Sequence, residues 1–403
     1  MREERRELEG AVDFETGKPR AKPLSYTVAW PDLSAGERAR GLVFLIPGFG
    51  GDVDPAYAAA LRRHVVERHG FAAVSVDYHC IHVRPETGAR IVVEAREQIW
   101  LVGLARLYGL EVRDPNDLHS LCEAFRAAPT APQVRGVLVT PGGDVQNFGL
   151  VQALDHLRVL GDLIERGPAF ERRRIVALGS SHGGFIAHLI AKFAPSTLAG
   201  VIDNSAYAQP PLAYGAGGAA PEYATRLGGV EVLCRTQRAW SFDEREAPDF
   251  YGRDQDLIRD VAYPPHLEIQ HRAGLDGGPR FRMVNASADG ISPPEAKTRQ
   301  AAFLAATGFD AQLHIVGEAD LDGRLFKRLV HGLDASLGGL IDLHLPGCGP
   351  RSVEPDLIRG AVIDYPCVDQ VYRFRHFDRF PYVKGERLDR FADLAAGPAV
   401  AAA

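Results

Sequence analysis

The 403-residue chain is 46% hydrophobic and 24% charged, ordinary globular material long enough for one large α/β domain with insertions. Its formal net charge of -6 argues against nucleic acid as a partner, since such contacts need clustered Lys and Arg to neutralise phosphates. No stretch approaches the roughly 18 uninterrupted apolar residues of a membrane span, and the charged run 1–10 lacks the apolar core of a secretory signal. Cys80, Cys122, Cys234, Cys348 and Cys367 are scattered, odd in number and never spaced Cys-x-x-Cys. That usage fits a reducing compartment better than a disulfide or zinc framework, so a cytoplasmic protein without membrane, metal or cofactor is expected.

Taken in chain order, residues 25–30 predict a short strand, and 41–46 an apolar strand buried on both faces. A glycine loop, 47–52, follows, then a helix over 56–69 and a valine-rich strand over 71–78. Residues 80–140 read as a helical insertion, with helices over 91–110 and 116–128 and a short apolar run at 136–139. Apolar residues at helical spacing (Leu150, Leu154, Leu157, Leu160, Ile164) predict a helix within 145–166. Strands are expected at 174–179, 198–202, 281–285 and 311–316, with helices at 185–193 and 294–307. Residues 206–280, aromatic and with paired prolines, read as a second insertion. Beyond 341 lies a C-terminal extension, strand-like at 361–374 and frayed at 397–403. Alternating strands and helices predict a mostly parallel sheet with helices on both faces. The expectation is one α/β domain over 1–403, with cap insertions at 80–140 and 206–280.

The chemistry centres on Gly179-Ser180-Ser181-His182-Gly183, reached directly from a β-branched strand and followed by a helical segment. Gly-x-Ser-x-Gly between strand and helix is the nucleophile elbow of an α/β-hydrolase, with Ser181 at the strained tip. A serine hydroxyl needs a histidine to take its proton, and the histidine needs a carboxylate to hold its tautomer, in the chain order Ser, acid, His. Asp289, in a loop between a strand and a helix opened by Pro293-Pro294, is the candidate acid, with Asp203 as runner-up. His331, beyond the last core strand, is the candidate base; His314 lies within that strand and reads as buried packing.

The oxyanion donors expected are the backbone N–H of His182 and that of Phe49 or Gly50, in the glycine loop after the first long strand. Tyr78 and His79, ending the next strand, are expected to line the pocket mouth. Gln146 and Asn147 either cap the following helix or reach substrate. His79, Cys80 and His82 lie close together, but neither their spacing nor a second cluster supports a metal site.

Tyr78-His-Cys80, Gly143-Asp-Val-Gln-Asn-Phe-Gly149, Gly179-x-Ser-x-Gly-Gly184, Val201-Ile-Asp-Asn-Ser205 and His331-Gly332, in this order over most of the chain, resemble the bacterial domain-of-unknown-function family 2920. The resemblance implies an α/β-hydrolase fold, a serine nucleophile and a carbohydrate context, since members are found with flagellin-glycosylation and nonulosonic-sugar genes. That family often has tyrosine after the nucleophile, where this chain has His182.

The function expected is a serine hydrolase acting on an ester, thioester or amide carbonyl through an acyl-enzyme. An acylated sugar or sugar acid is the small-molecule substrate class that the resemblance implies. The alternatives are an acyltransferase to a sugar acceptor, or a non-catalytic accessory protein whose triad is unassembled.

Overall fold

The computed structural model describes residues 1–10, 12–20, 22–51, 56–209, 221–238, 240–241, 250–376 and 383–389. The first elements are β1 (Arg2–Leu8), β2 (Leu24–Trp30), β3 (Leu42–Ile46), α1 (Ala56–His69), β4 (Ala72–Asp77), β5 (Arg90–Val93), α2 (Ala95–Leu107), α3 (Leu118–Ala124) and β6 (Gln133–Val139). There follow α4 (Leu150–Arg166), β7 (Ile175–Ser180), α5 (His182–Phe193), β8 (Gly200–Asn204), β9 (Tyr223–Leu227), β10 (Val230–Thr236), α6 (Arg253–Arg259) and α7 (Pro264–Ala273). The remainder comprises β11 (Arg280–Ala286), α8 (Pro294–Thr307), β12 (Ala311–Val316), α9 (Leu337–His344), α10 (Asp356–Arg359), β13 (Val362–Pro366), β14 (Gln370–His376) and β15 (Val383–Asp389).

The chain divides into two compact units: Met1–Ile81, Phe148–Pro210 and Tyr251–Ala403 form the first, His82–Asn147 and Pro211–Phe250 the second. In the first unit an eight-stranded sheet runs β1-β2-β4-β3-β7-β8-β11-β12. From β4 to β12 the strands are parallel, while β1 and β2 are antiparallel additions at one edge. The fold is thus α/β-hydrolase-like, with a mostly parallel sheet. Strands β3 (LVFLI) and β7 (IVALGS) are almost wholly apolar because both their faces are covered, and every residue of β3 is buried. Helices α4 and α5 bury Leu150, Leu154, Leu157, Phe185 and Leu189 in one core layer. A second layer holds Leu61 and Val65 of α1 with Leu340 and Ile341 of α9. Each such side chain contributes about 1.5–3 kcal/mol by leaving water.

Two boundaries depart from the sequence reading for local reasons. The charged opening is an ordered edge strand, paired in register from Arg2 opposite Trp30 to Leu8 opposite Leu24; charge suits a strand whose outer edge must not recruit another. Helix α4 begins at Leu150 rather than near 145, because Phe148 (φ 56°) and Gly149 (φ 106°) take left-handed backbone.

The second unit is built from both inserted segments. β6 of the first segment pairs in parallel with β10 of the second, from Gln133 opposite Glu231 to Leu138 opposite Thr236, within a sheet ordered β5-β6-β10-β9. Leu101, Leu121, Phe125, Val134, Leu138 and Val232 form its own core. Residues 91–93, expected as the start of a helix, are strand: Ile91, Val92 and Val93 are β-branched and pair antiparallel with β6, and α2 starts only after Glu94, whose backbone is extended. The segment 206–280 does not stay together, since α6 and α7 belong to the first unit. The C-terminal extension supplies the antiparallel β13-β14-β15 sheet of the first unit, with Phe374 stacked on Phe193 of α5 at 4.0 Å; residues 397–403 lie outside the described residues. All five cysteines are buried free thiols. No helix among the described residues is long and apolar enough to cross a membrane.

Candidate active site

Ser181 stands between β7 and α5 with φ 55° and ψ -121°, a backbone conformation that costs a non-glycine residue about 1–3 kcal/mol. The flanking glycines are required by contact. A Cβ on Gly179 would lie 2.2 Å from the Gly183 carbonyl carbon, and one on Gly183 would lie 2.1 Å from the Ile46 carbonyl oxygen. The strained turn is held by the Ser181 N–H, which donates to the Asn204 carbonyl at 2.8 Å, and by the Ser181 carbonyl, which accepts from Phe185 N–H at 3.1 Å.

Asp289 projects from the loop between β11 and α8. Its Oδ1 accepts the N–H groups of Ile291 at 2.9 Å and Ser292 at 2.8 Å, so the aspartate folds its own loop as an Asx turn. It serves the turn and the site at once. His331 lies in the segment between β12 and α9, with Nδ1 2.9 Å from Asp289 Oδ2 and 3.0 Å from Oδ1. His331 Nε2 is 2.7 Å from Ser181 Oγ. Burial pushes the Asp289 carboxyl up, but hydrogen bonds from His331 and Ser292 outweigh it, and the net is a carboxyl below its ordinary range. A carboxylate only accepts, so it fixes the proton on His331 Nδ1 and leaves Nε2 to accept from the serine hydroxyl.

The histidine is aimed by its own turn and by one asparagine. Gly332, Leu333 and Asp334 all have positive φ (78°, 59° and 44°), reversing the chain just after His331, while Leu333 is fully buried as an anchor. Asn204 Nδ2 donates both to the Gly332 carbonyl and to Ser180 Oγ, each at 3.0 Å. Asn204 therefore fastens the serine turn through its backbone and the histidine turn through its side chain. Asn204 lies within the Val201–Ser205 motif, where nothing in the sequence assigns it a role. Its place at the end of β8, beside β7, is the signal that would have found it.

Phe49 and Gly50 lie in the turn after β3, closed by Gly51 N–H on the Gly48 carbonyl at 2.9 Å with Gly50 at φ 78°. A Cβ on Gly48 would be 3.3 Å from Ser181 Cβ, so this turn passes directly against the serine. The Phe49 ring meets the His182 imidazole edge-on at 5.7 Å, bringing the glycine turn beside the N-terminus of α5. The His182 N–H opens that 12-residue helix, where unpaired N–H groups and the helix dipole favour negative charge. The His182 ring is buried and hydrogen-bonded to the Tyr207 hydroxyl, and burial lowers its pKa to about 3. It is a neutral packing group.

Four residues expected to meet substrate are buried instead. Tyr78 is 1% exposed, and its hydroxyl donates to the carbonyls of Pro47 at 3.0 Å and Gly48 at 3.2 Å. A trans peptide sets its N–H opposite its carbonyl, so Tyr78 turns the Phe49 N–H away from itself and orients the glycine loop from behind. His79 is buried, with its backbone N–H on Asp155 at 2.7 Å, and Asp155 is in turn paired with Arg20. Gln146 and Asn147 are buried in the second unit, where Gln146 N–H donates to the Gln237 carbonyl at 2.9 Å. The runner-up acid Asp203 is engaged elsewhere, 2.8 Å from His188 and 2.5 Å from Lys297. His314 is not buried: on the edge strand β12 its side chain is half exposed and paired with Asp320 at 3.3 Å.

A parallel sheet with a strained serine between strand and helix, and a carboxylate and a histidine carried by segments after later strands, defines an α/β-hydrolase. The chain belongs to the family described as "Protein of unknown function (DUF2920)", which matches residues 4–380. No curated protein sequence matches it. Among solved structures it is similar to the acylaminoacyl peptidase of Pyrococcus horikoshii, at 12% identity and a TM-score of 0.46 over 86% of this chain and 40% of that one. The chain thus spans less than half the length of that peptidase. It is also similar to an esterase of Pyrobaculum calidifontis (15% identity, TM-score 0.42, 86% of this chain and 84% of that one). A third similar structure is Est1E of Butyrivibrio proteoclasticus (13% identity, TM-score 0.39, 81% and 91%). Such identities transfer neither a substrate nor a residue role.

Proposed function

We propose that the protein is a serine hydrolase that cleaves an ester, thioester or amide through an acyl-enzyme on Ser181. The observation that carries this reading is the unbroken line from Ser181 Oγ to His331 Nε2 at 2.7 Å and from His331 Nδ1 to Asp289 at 2.9 Å. His331 takes the hydroxyl proton as Ser181 Oγ attacks the carbonyl carbon, and Asp289 stabilises the imidazolium. The oxyanion forms against the N–H of His182 and that of Phe49 or Gly50, each such donor being worth about 10² to 10³ in turnover. The leaving group departs with the proton from His331, and water, deprotonated by the same histidine, then releases the acyl group.

An acylated sugar or sugar acid is the substrate class that the family resemblance implies, and it is the first to screen, beside simple esters. The test of the chemistry precedes the test of substrate. A fluorophosphonate should label the folded protein once, at Ser181, with labelling abolished in Ser181→Ala and slowed in His331→Ala. A folded wild type that stays unlabelled by several such probes would overturn the assignment.

A further inference from the structure

Outside the serine site, two imidazoles converge on a single carboxylate oxygen. His64 and His69 lie on α1 and Asp342 on α9, with His64 Nε2 2.9 Å and His69 Nε2 2.7 Å from Asp342 Oδ1. Among the described residues, these are the His, Cys, Asp or Glu side chains that bring three ligand atoms within 4.8 Å of one another. Two imidazole nitrogens and a carboxylate oxygen make a donor set of borderline softness, the type that open zinc sites complete with water. We propose that His64, His69 and Asp342 bind one Zn2+-like divalent cation that clamps α1 to α9. The cysteine spacing that argued against zinc in the sequence does not bear on this nitrogen and oxygen set.

The geometry is close to what the ion requires. Tetrahedral bonds of about 2.0–2.1 Å hold ligand atoms roughly 3.3 Å apart, so the two nitrogen–oxygen spacings need to open by about half an ångström, and the two imidazole nitrogens already lie within 4.8 Å of each other. The backbones beneath are fixed: α1 buries Leu61, Val65 and Val66, and α9 buries Leu340 and Ile341. The side chains are 33% (His64), 14% (His69) and 30% (Asp342) exposed, leaving a path for the ion and room for a water ligand. One group competes. Arg68 Nε also lies 3.0 Å from Asp342 Oδ1, but its side chain is 64% exposed and can swing into solvent. The clamp would join the helix after the glycine loop to the helix after the His331 segment, and so steady both approaches to the serine.

The test is titration of ZnCl2 into chelator-treated, tag-free full-length protein, read by calorimetry and by metal content after desalting. Wild type is expected to hold one equivalent and to melt a few degrees higher with it, because a ligand specific to the folded state stabilises by mass action. Arg68→Ala, which removes the competitor, should bind several-fold more tightly. The double variant His64→Gln, His69→Gln should lose the equivalent while keeping wild-type circular dichroism, and Co2+ should give four-coordinate visible bands in wild type but not in the double variant. No saturable uptake by wild type, or uptake that survives in the double variant, would overturn the proposal.

Discussion

At the scale of single residues, Asn204 and Tyr78 lie behind the array of Ser181, His331 and Asp289. Asn204 holds the serine turn and the histidine turn together, so Asn204→Ala leaves the Gly332 carbonyl and the Ser180 hydroxyl without their donor. Two lost hydrogen bonds of about 1 kcal/mol each should lower probe-labelling or turnover rates by about 10- to 100-fold with the fold intact. Equal activity in wild type and variant would remove Asn204 from the site. Tyr78→Phe frees two carbonyls of the glycine loop, and the expected result is about a 10-fold fall in kcat with KM little changed. A raised KM at constant kcat would instead return Tyr78 to the substrate-binding role expected from the sequence. Ser181, Asp289 and His331 were legible because chain order and flanking strand and helix signals restrict the choice. Asn204 was not, because its task exists only once β8 lies against β7.

Within the elements, the elbow is governed by backbone contact. Gly183→Ala would drive a methyl group to 2.1 Å from the Ile46 carbonyl, and only a shift of β3 or α5 could relieve it. A loss of about 3 kcal/mol or more is expected in urea unfolding, together with loss of Ser181 labelling. Gly290→Ala is the contrasting case, beside Asp289 but with nothing within 4 Å of the added atom. It should change stability by no more than about 0.5 kcal/mol; a large loss there would mean that the acid loop needs glycine for a reason other than space. Most strands and helices of the first unit were readable from apolar runs and helical spacing. β5 was not, since three β-branched residues beside a helix match both patterns until β6 is present to pair with them.

For the molecule as a whole, the buried charges set the response to acid. Asp203 is fully buried; burial pushes its carboxyl up, but Lys297 and the hydrogen bond from His188 outweigh that, leaving it below the ordinary carboxylate range. Its folded value is lower than its unfolded one, so its contribution is complete above about pH 4 and is lost as pH falls through the folded value. Asp289 has the same sign. Stability followed against pH should therefore fall on acidification, and Asp203→Asn should both cost about 3–5 kcal/mol near neutrality and flatten that acid limb. An acid limb unchanged in the variant would show that other carboxylates carry it. The sequence by itself determined the kind of sheet, the strand-turn-helix at Ser181 and the chain order of Ser181, Asp289 and His331, because strand burial, helical spacing and glycine positions are local properties of the chain. Only the tertiary structure decided that residues 82–147 and 211–250 make one unit, that Tyr78 supports the glycine loop rather than lining the pocket, and that His64, His69 and Asp342 meet. Each of those depends on contacts between segments far apart in the chain, which no local pattern encodes.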